Sequence, residues 1–123
     1  MSGRILVIDD SGLARRRARA ILENAGYEVI EAEDGIAALE QYFLAKPDVV
    51  LLDLVMKGMY GLDVLTKLRE MDPNVRVIIV SADVQQSSHD MVADAGARAF
   101  VMKPIEGDEI LAAIRTTLAE AHP

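Results

Sequence analysis

Residues 49–54 read Val-Val-Leu-Leu-Asp-Leu, an apolar run interrupted by a single acid. A strand that exposes one face to water alternates apolar and polar residues, whereas a strand covered on both faces is apolar throughout. The run is therefore typical of a central strand in a parallel sheet with helices on both sides. Its acid, Asp53, would stand at the carboxyl end of that strand.

Four more apolar runs of strand length are spaced along the chain. They lie at residues 5–8, 29–30, 75–80 and 99–102. Between them, apolar residues recur with the 3.6-residue period of helices that pack one face on a sheet, as in 14–25 and 110–118. Gly26 and Gly96 stand where helices would end. The pattern predicts a (βα)5 chain, and right-handed crossovers fold such a chain into a three-layer α/β sandwich with a five-stranded parallel sheet.

The length and composition fit one globular domain. The chain has 123 residues, 51% hydrophobic and 27% charged, so we expect a single domain over residues 1–123 with no separate output domain. The net charge of −7 argues against binding to nucleic acid or to an anionic membrane. The absence of cysteine excludes disulfides, thiolate zinc sites and thiol nucleophiles. No targeting segment or membrane-length apolar stretch is visible, which predicts a cytoplasmic protein.

Acidic residues follow two of the apolar runs. Asp9 and Asp10 come directly after residues 5–8, and Asp53 follows residues 49–52. Doubly wound sheets commonly have the strand order 2-1-3-4-5, in which the first and third strands are neighbours, so the three carboxylates would meet at one edge. The three carboxylates would repel one another unless a cation bound between them, and oxygen ligands that leave room for water suit Mg²⁺. Taken singly, each Asp is more simply explained as a helix cap or turn residue.

A hydroxyl and an ammonium group are expected at the same edge. Ser81 follows residues 75–80 and Lys103 follows residues 99–102. Alone, the serine would be a helix cap and the lysine a solvated charge. An Asp carboxylate can attack phosphorus to form an acyl phosphate, and catalysis then consists of positioning and charge neutralisation. Asp53 as nucleophile, Mg²⁺, Lys103 and Ser81 would supply the parts of such a site.

The chain resembles the response-regulator receiver domains of two-component systems over nearly its whole length. The motifs that carry the resemblance follow four of the five predicted strands: Val7-Ile8-Asp9-Asp10, Leu52-Asp53-Leu54 with Gly61, Val80-Ser81-Ala82, and Val101-Met102-Lys103-Pro104. A second set is similar to stand-alone chemotaxis (CheY-like) regulators: Ser81-Ala82 followed by Gln85-Gln86, and Gly96-Ala97 followed by Phe100. The resemblance implies a flavodoxin-like fold with strand order 2-1-3-4-5.

The resemblance also implies catalytic and switching roles. Asp53 would be the phosphoacceptor, Lys103 would contact the phosphoryl group, and the Lys103–Pro104 bond would be cis. Ser81 would be the switch hydroxyl, drawn toward a phosphoryl oxygen. Phe100 would be the aromatic that turns inward when Ser81 moves, although simple core packing explains Phe100 equally well.

A metal site is implied in the same way. Mg²⁺, for which Mn²⁺ can substitute, would be bound directly by Asp10 and Asp53 and by the backbone carbonyl of Val55. Asp9 would act mainly through a metal-bound water. The site would hold no organic cofactor.

The implied function is a phosphorylation switch. A histidine kinase or phosphotransfer domain would donate the phosphoryl group to Asp53, and the surface around the fourth helix, fifth strand and fifth helix would change its preference for an output protein that the sequence does not identify. We expect a monomer at rest, with dimerisation on phosphorylation left open. Self-catalysed phosphorylation and hydrolysis make such a domain partly an enzyme.

Other functions use similar residues. A haloacid-dehalogenase-type phosphatase also combines a nucleophilic Asp, Mg²⁺, a Lys and a Ser, but Val55 occupies the position of its second acid and no cap segment encloses a substrate. A degenerate receiver that only binds partners is disfavoured because all five site residues are present. Phosphorelay intermediate and phosphate sink remain alternatives within the receiver reading.

A few residues stand outside the pattern. Lys57 occupies a position where many receivers have proline, which predicts a less constrained loop and altered metal affinity. Val55 and Asp83 flank the site, at positions through which receivers differ in their rate of dephosphorylation. His89 and His122 are isolated and are expected to be exposed.

One group of basic residues in the first helix is either a solvated face or a docking surface for an acidic partner: Arg15, Arg16, Arg17 and Arg19.

Overall fold

A computed structural model of the chain describes residues 3–56, 58–82 and 85–120. Within these ranges, strands and helices alternate as β1 (Arg4–Ile8), α1 (Gly12–Asn24), β2 (Glu28–Ala32), α2 (Gly35–Ala45), β3 (Val49–Asp53), α3 (Gly61–Met71), β4 (Val77–Ser81), α4 (Gln86–Asp94), β5 (Ala99–Met102) and α5 (Gly107–Ala119). The predicted (βα)5 order is confirmed. No helix in the described ranges is long and apolar enough to span a membrane.

The five strands form one parallel sheet in the order β2-β1-β3-β4-β5. Every residue of β3 and β4 is buried, as the unbroken apolar runs predicted. One core cluster lies between the sheet and helices α2 to α4, and a second lies between the sheet and helices α1 and α5. The three-layer sandwich and the strand order 2-1-3-4-5 are therefore confirmed.

Strands β2 and β4 differ most from the prediction, whereas β1 and β3 differ by one residue and β5 agrees. Strand β2 is an edge strand of five residues rather than two, and Glu28 and Glu31 interrupt its apolar sequence on either side of Val29 and Ile30. Strand β4 begins at Val77 rather than Val75. Val75 is buried, but its N–H donates to the carbonyl of Asp72 in the turn that precedes the strand. Burial alone cannot separate a strand residue from a buried turn residue.

Side chains on successive strand residues point to opposite faces of the sheet. Leu51 and Val101 pack in the α1/α5 cluster, so Asp53 and Lys103, two residues further along, continue on that face. Ile79 packs in the α2–α4 cluster, so Ser81 continues on the other face. The sheet thus divides the predicted site residues between its two sides.

The ends of two helices follow the glycine pattern. Gly26 and Gly96 come directly after the caps of α1 and α4, with φ of 96° and 101°. This left-handed conformation suits glycine because it has no Cβ. Helix α2 ends instead at Ala45 and is capped by Lys46, a non-glycine residue with φ of 47° that the sequence pattern did not mark.

Candidate functional site

The carboxyl edge of the sheet brings three acids together. Asp53 is the last residue of β3, and Asp9 and Asp10 directly follow β1, its neighbour in the sheet. One carboxylate oxygen from each acid lies within 4.8 Å of those of the other two. Asp9 and Asp53 are buried, at 6% and 8% exposure, whereas Asp10 is exposed. The predicted convergence of the three carboxylates is thus present, with one side open to solvent.

Lys103 joins two of these acids. Its Nζ lies 2.8 Å from Oδ2 of Asp9 and 3.2 Å from Oδ2 of Asp53. With the three acids ionised, one ammonium leaves the cluster with a formal charge of about −2, which matches a divalent cation. Hard carboxylate oxygens, one of them exposed, form a donor set that suits Mg²⁺ with part of its water retained. The residues present therefore fit a magnesium ion.

Burial and charge act against each other on the pKa values here. Burial raises the pKa of Asp53 and the nearby Asp9 charge adds to this effect, while the positive charge of Lys103 and a backbone hydrogen bond oppose it. For Lys103, burial lowers the pKa, but the hydrogen bond to Asp9 and the charge of Asp53 outweigh it, so the net pKa is raised. The amine is consequently protonated at neutral pH and presents a fixed positive charge beside Asp53.

Backbone groups orient the carboxylates. The N–H of Ser11 donates to Oδ1 of Asp9 at 2.9 Å, and the N–H of Val55 donates to Oδ1 of Asp53 at 3.3 Å. Arg15 donates to the carbonyl of Asp9 at 2.7 Å. Val55 itself is 62% exposed.

Gly61 supports the loop that follows Asp53. Its N–H donates to the carbonyl of Leu54 at 2.8 Å. A Cβ at Gly61 would lie 2.6 Å from the carbonyl oxygen of Asp53 and 2.7 Å from Cα of Leu54, closer than van der Waals contact permits. Only glycine allows α3 to begin this close to the end of β3, so Gly61 permits the close packing of the two elements next to Asp53.

Ser81 and Phe100 lie on the other face of the sheet. Ser81 ends β4 with 1% exposure, and its carbonyl accepts a hydrogen bond from the N–H of Lys103 at 2.9 Å. Phe100, in β5, is half-buried and packs against the α2–α4 cluster. The peptide bond between Lys103 and Pro104 is cis. Ser81 thus lies at the same edge of the sheet as the acids but on the opposite face from Asp53, and Phe100 lies further back on the face of Ser81.

The α1 arginines agree with the expectation in part, because Arg16 and Arg17 are exposed. Arg15 and Arg19 are only partly exposed, at 17% and 35% of their side chains, and their Nε atoms pair with Glu31 of β2 at 2.9 and 2.6 Å. Arg17 donates to the carbonyl of Ile105 at 2.8 Å. Contacts within the chain therefore involve Arg15, Arg17 and Arg19. The partner Glu31 lies on an adjacent strand, a relation that a helix pattern does not reveal.

Glu31 should stabilise the fold through these pairs. The hydrogen bond from Arg19 holds the pKa of Glu31 below its usual range, with burial opposing and Arg15 assisting. A lowered carboxyl pKa stabilises the folded state above the unfolded-state pKa, and the effect is lost as pH falls through the folded pKa. We expect Glu31→Gln to lower the free energy of unfolding by about 1 kcal/mol at pH 7. Urea unfolding should show this gap unchanged down to about pH 5 and closing below about pH 4.

The control for this prediction is Glu33→Gln, at an exposed position nearby for which the described structure shows no ion pair. Its effect should be small at every pH. A gap between wild type and Glu31→Gln that persists undiminished at pH 3 would contradict the role of the ionised pair.

The expectation that His89 is exposed is wrong. This side chain is half-buried, and its ring stacks on that of Phe100. Because the two residues lie on different elements, no local pattern predicts the contact. Lys57, Asp83 and His122 lie outside the described residues, and so do the predictions that concern them.

Family comparison explains this combination of fold and site. Residues 5–115 match the family described as the response regulator receiver domain. The chain belongs to this family. Membership makes it a two-component signalling receiver and implies a histidine kinase as partner, and it gives the phosphatase reading no support.

The receiver is similar to chemotaxis proteins along most of its length. It is 40% identical to the chemotaxis protein CheY of Bacillus subtilis strain 168, over 96% of this chain and 99% of that protein. It is 36% identical to CheY of Thermotoga maritima, over 93% and 96% of the two chains. Both alignments leave little of the relatives unmatched.

Solved structures show the same fold. A CheY-like receiver domain from Methanospirillum hungatei superposes with a TM-score of 0.90 at 28% identity, covering 96% of this receiver and 94% of that chain. The CheY chain of a CheX-CheY-BeF₃-Mg²⁺ complex from Borrelia burgdorferi gives a TM-score of 0.91 at 28% identity, covering 95% and 90%. The flavodoxin-like receiver fold is therefore confirmed for this chain.

Proposed function

We propose that Asp53 accepts a phosphoryl group from the phosphohistidine of a kinase or phosphotransfer domain in a Mg²⁺-dependent reaction. The observation that carries the proposal is the buried Asp53 carboxylate flanked by Asp9, Asp10 and the Lys103 ammonium. Oδ of Asp53 would attack phosphorus in line, forming the O–P bond as the P–N bond to the donor histidine breaks. The electron pair of that bond returns to the imidazole.

The metal would be held by the carboxylates of Asp10 and Asp53 and the backbone carbonyl of Val55, with Asp9 acting through a bound water. When bound, Mg²⁺ neutralises charge on the phosphoryl oxygens. Asp9 also keeps the Lys103 amine protonated and in place through its 2.8 Å hydrogen bond. Lys103 would then contact a second phosphoryl oxygen and stabilise the charge of the transition state.

Ser81 would convert the chemistry into a change of shape. Its hydroxyl, at the end of β4, would donate to the remaining phosphoryl oxygen and draw the end of the strand toward Asp53. The shift frees space on the α2–α4 face, into which Phe100 would turn. A surface formed by α4, β5 and α5 would then bind its output partner more strongly, and such a two-state shift requires only a few kcal/mol.

The wider assignment rests on the relatives. We propose that residues 1–123 act as a stand-alone cytoplasmic regulator, monomeric at rest, and that its pathway is chemotaxis, because curated chemotaxis proteins of nearly the same length align at up to 40% identity. Relay of the phosphoryl group to a second carrier is the alternative. Transfer from the phosphorylated protein to a phosphotransfer domain would favour that alternative.

The first test of the proposal uses the wild-type protein and a small phosphodonor. Incubation with acetyl phosphate and Mg²⁺ should add the mass of one phosphoryl group, and hydroxylamine should remove it because the product is an acyl phosphate. We expect EDTA to abolish the adduct and added Mg²⁺ to restore it. Mass spectrometry of the intact protein measures each step.

A binding measurement without phosphodonor completes this test. Mg²⁺ in hundredfold excess over its Kd should stabilise the folded state by about 2.7 kcal/mol. Asp10→Asn should remove that stabilisation, whereas Asp63→Asn, an exposed acid in the first turn of α3, should not. A phosphoryl adduct that forms equally well in EDTA would contradict the metal-dependent mechanism.

A further inference from the structure

A stacked ring pair joins α4 to β5. The ring centroids of His89 and Phe100 are 3.6 Å apart, and the ring planes are inclined by 20°. This is a close, nearly face-to-face stack, tighter than the offset and edge-to-face pairs that aromatic side chains prefer. The Phe100 ring therefore cannot turn away from α4 without breaking its contact with the imidazole.

The stack is opposed by an unsatisfied polar atom. Nε2 of His89 is buried and has no hydrogen-bond partner among the described residues. A buried nitrogen without a partner costs free energy that is recovered when it reaches water. The stacked position of His89 therefore depends on its packing against Phe100, and the imidazole can leave readily once that ring moves.

The sheet register connects this pair to the phosphorylation site. Phe100 pairs with Ile79 across β4 and β5, and Ser81 lies two residues beyond Ile79 on the same face of the sheet. A movement of Ser81 toward Asp53 therefore changes the space next to the Phe100 ring. His89 touches that ring from the α4 side.

We propose that His89 is a positioning residue for the switch, and that its stack holds Phe100 in the orientation of the unphosphorylated protein. The inference rests on the proposed phosphorylation of Asp53, whose regulation it describes. A phosphoryl group favours the inward position of Phe100, so this ring must leave His89 as the site is filled. The stack is then a cost that the filled site must overcome, and removing it raises affinity for a phosphoryl mimic.

The decisive experiment measures the affinity of the whole protein for beryllofluoride with saturating Mg²⁺ by titration calorimetry. His89→Ala should bind about two- to tenfold more tightly than wild type, the range that one aromatic pair contributes to an equilibrium constant. His89→Phe keeps a stacking ring and should bind as wild type does. Equal or weaker binding by His89→Ala would overturn the proposal.

A double-mutant cycle separates the stack from a general effect on packing. In a Phe100→Ala background, His89→Ala should leave beryllofluoride affinity unchanged, because no ring remains to be held. An effect of the same size in both backgrounds would show that His89 acts elsewhere and would sink the inference. Failure of wild type to bind beryllofluoride would instead contradict the proposed function itself.

Ring resonances give a second readout that does not depend on affinity. The chain contains two phenylalanines, so ring-labelled protein gives two sets of signals, and exposed Phe43 in α2 serves as an internal reference. The imidazole ring current should shift the Phe100 signals, and either beryllofluoride or His89→Ala should remove that shift while Phe43 stays unchanged. A Phe100 spectrum insensitive to His89→Ala would overturn the stack.

Discussion

Asp53→Asn is expected to abolish phosphorylation while stabilising the fold. The amide cannot attack phosphorus, so adduct formation from acetyl phosphate should fall by about a thousandfold or more. Stability should move in the opposite direction, because burial raises the pKa of Asp53 and its ionised form therefore costs free energy in the folded state at neutral pH. Loss of function with gain of stability is the pattern expected of an active-site residue rather than a structural one.

The sign of the stability effect gives a pH test. A carboxyl whose folded pKa lies above its unfolded pKa destabilises the protein above the folded pKa, and the cost disappears as pH falls below the unfolded value. The advantage of Asp53→Asn over wild type should therefore be largest near neutral pH and vanish in acid. Asp63→Asn, at an exposed position, should leave both phosphorylation and stability unchanged. An Asp53→Asn protein that still acquires a hydroxylamine-sensitive adduct would refute Asp53 as the acceptor.

Gly61→Ala is expected to have the largest effect on stability. The new methyl group would meet the carbonyl oxygen of Asp53 at 2.6 Å and that of Leu54 at 2.8 Å, and both are backbone atoms that cannot rotate aside. Overpacking of this kind costs about 1–3 kcal/mol or more. The midpoint of urea unfolding should fall by about 1 M or more. Displacement of Asp53 should also slow phosphorylation by about tenfold or more.

Gly107→Ala is the matched control for that substitution. Gly107 also begins a helix, α5, but a Cβ there would have its nearest neighbour, Cγ2 of Ile21, at 3.9 Å. Alanine favours helix over glycine, so this variant should be neutral or slightly more stable than wild type. Equal urea midpoints for Gly61→Ala and wild type would mean that the β3–α3 connection relaxes freely, contrary to the geometry.

The fold was predictable because its signals are local. Strands buried on both faces must be apolar throughout, so residues 49–52 and 75–80 located β3 and β4 without tertiary information, although β4 begins only at Val77. The convergence of Asp9, Asp10 and Asp53 followed from the sheet topology, since parallel strands end at a common edge.

The features that the sequence did not reveal are contacts between distant elements. Glu31 interrupts the apolar sequence of edge strand β2, so the full extent of the strand was not visible, and the pairing of Glu31 with Arg15 and Arg19 could not be predicted from α1 alone. His89 was expected in solvent because it is isolated in the sequence, whereas its ring partner Phe100 lies on another element, β5. Pairings of this kind depend on packing angles that the residue order does not encode locally.

The division of the site by the sheet has a consequence for how such a protein can be tuned. Asp53 and Lys103, to which we assign the phosphoryl chemistry in our proposal, project on the α1/α5 side, while Ser81 and Phe100 project on the α2–α4 side. Under that proposal, substitutions on the α1/α5 side would alter the lifetime of the phosphorylated state, whereas substitutions on the α2–α4 side would alter which output partner is bound. The two properties could then change independently, because the backbone of the sheet separates the residues that control them.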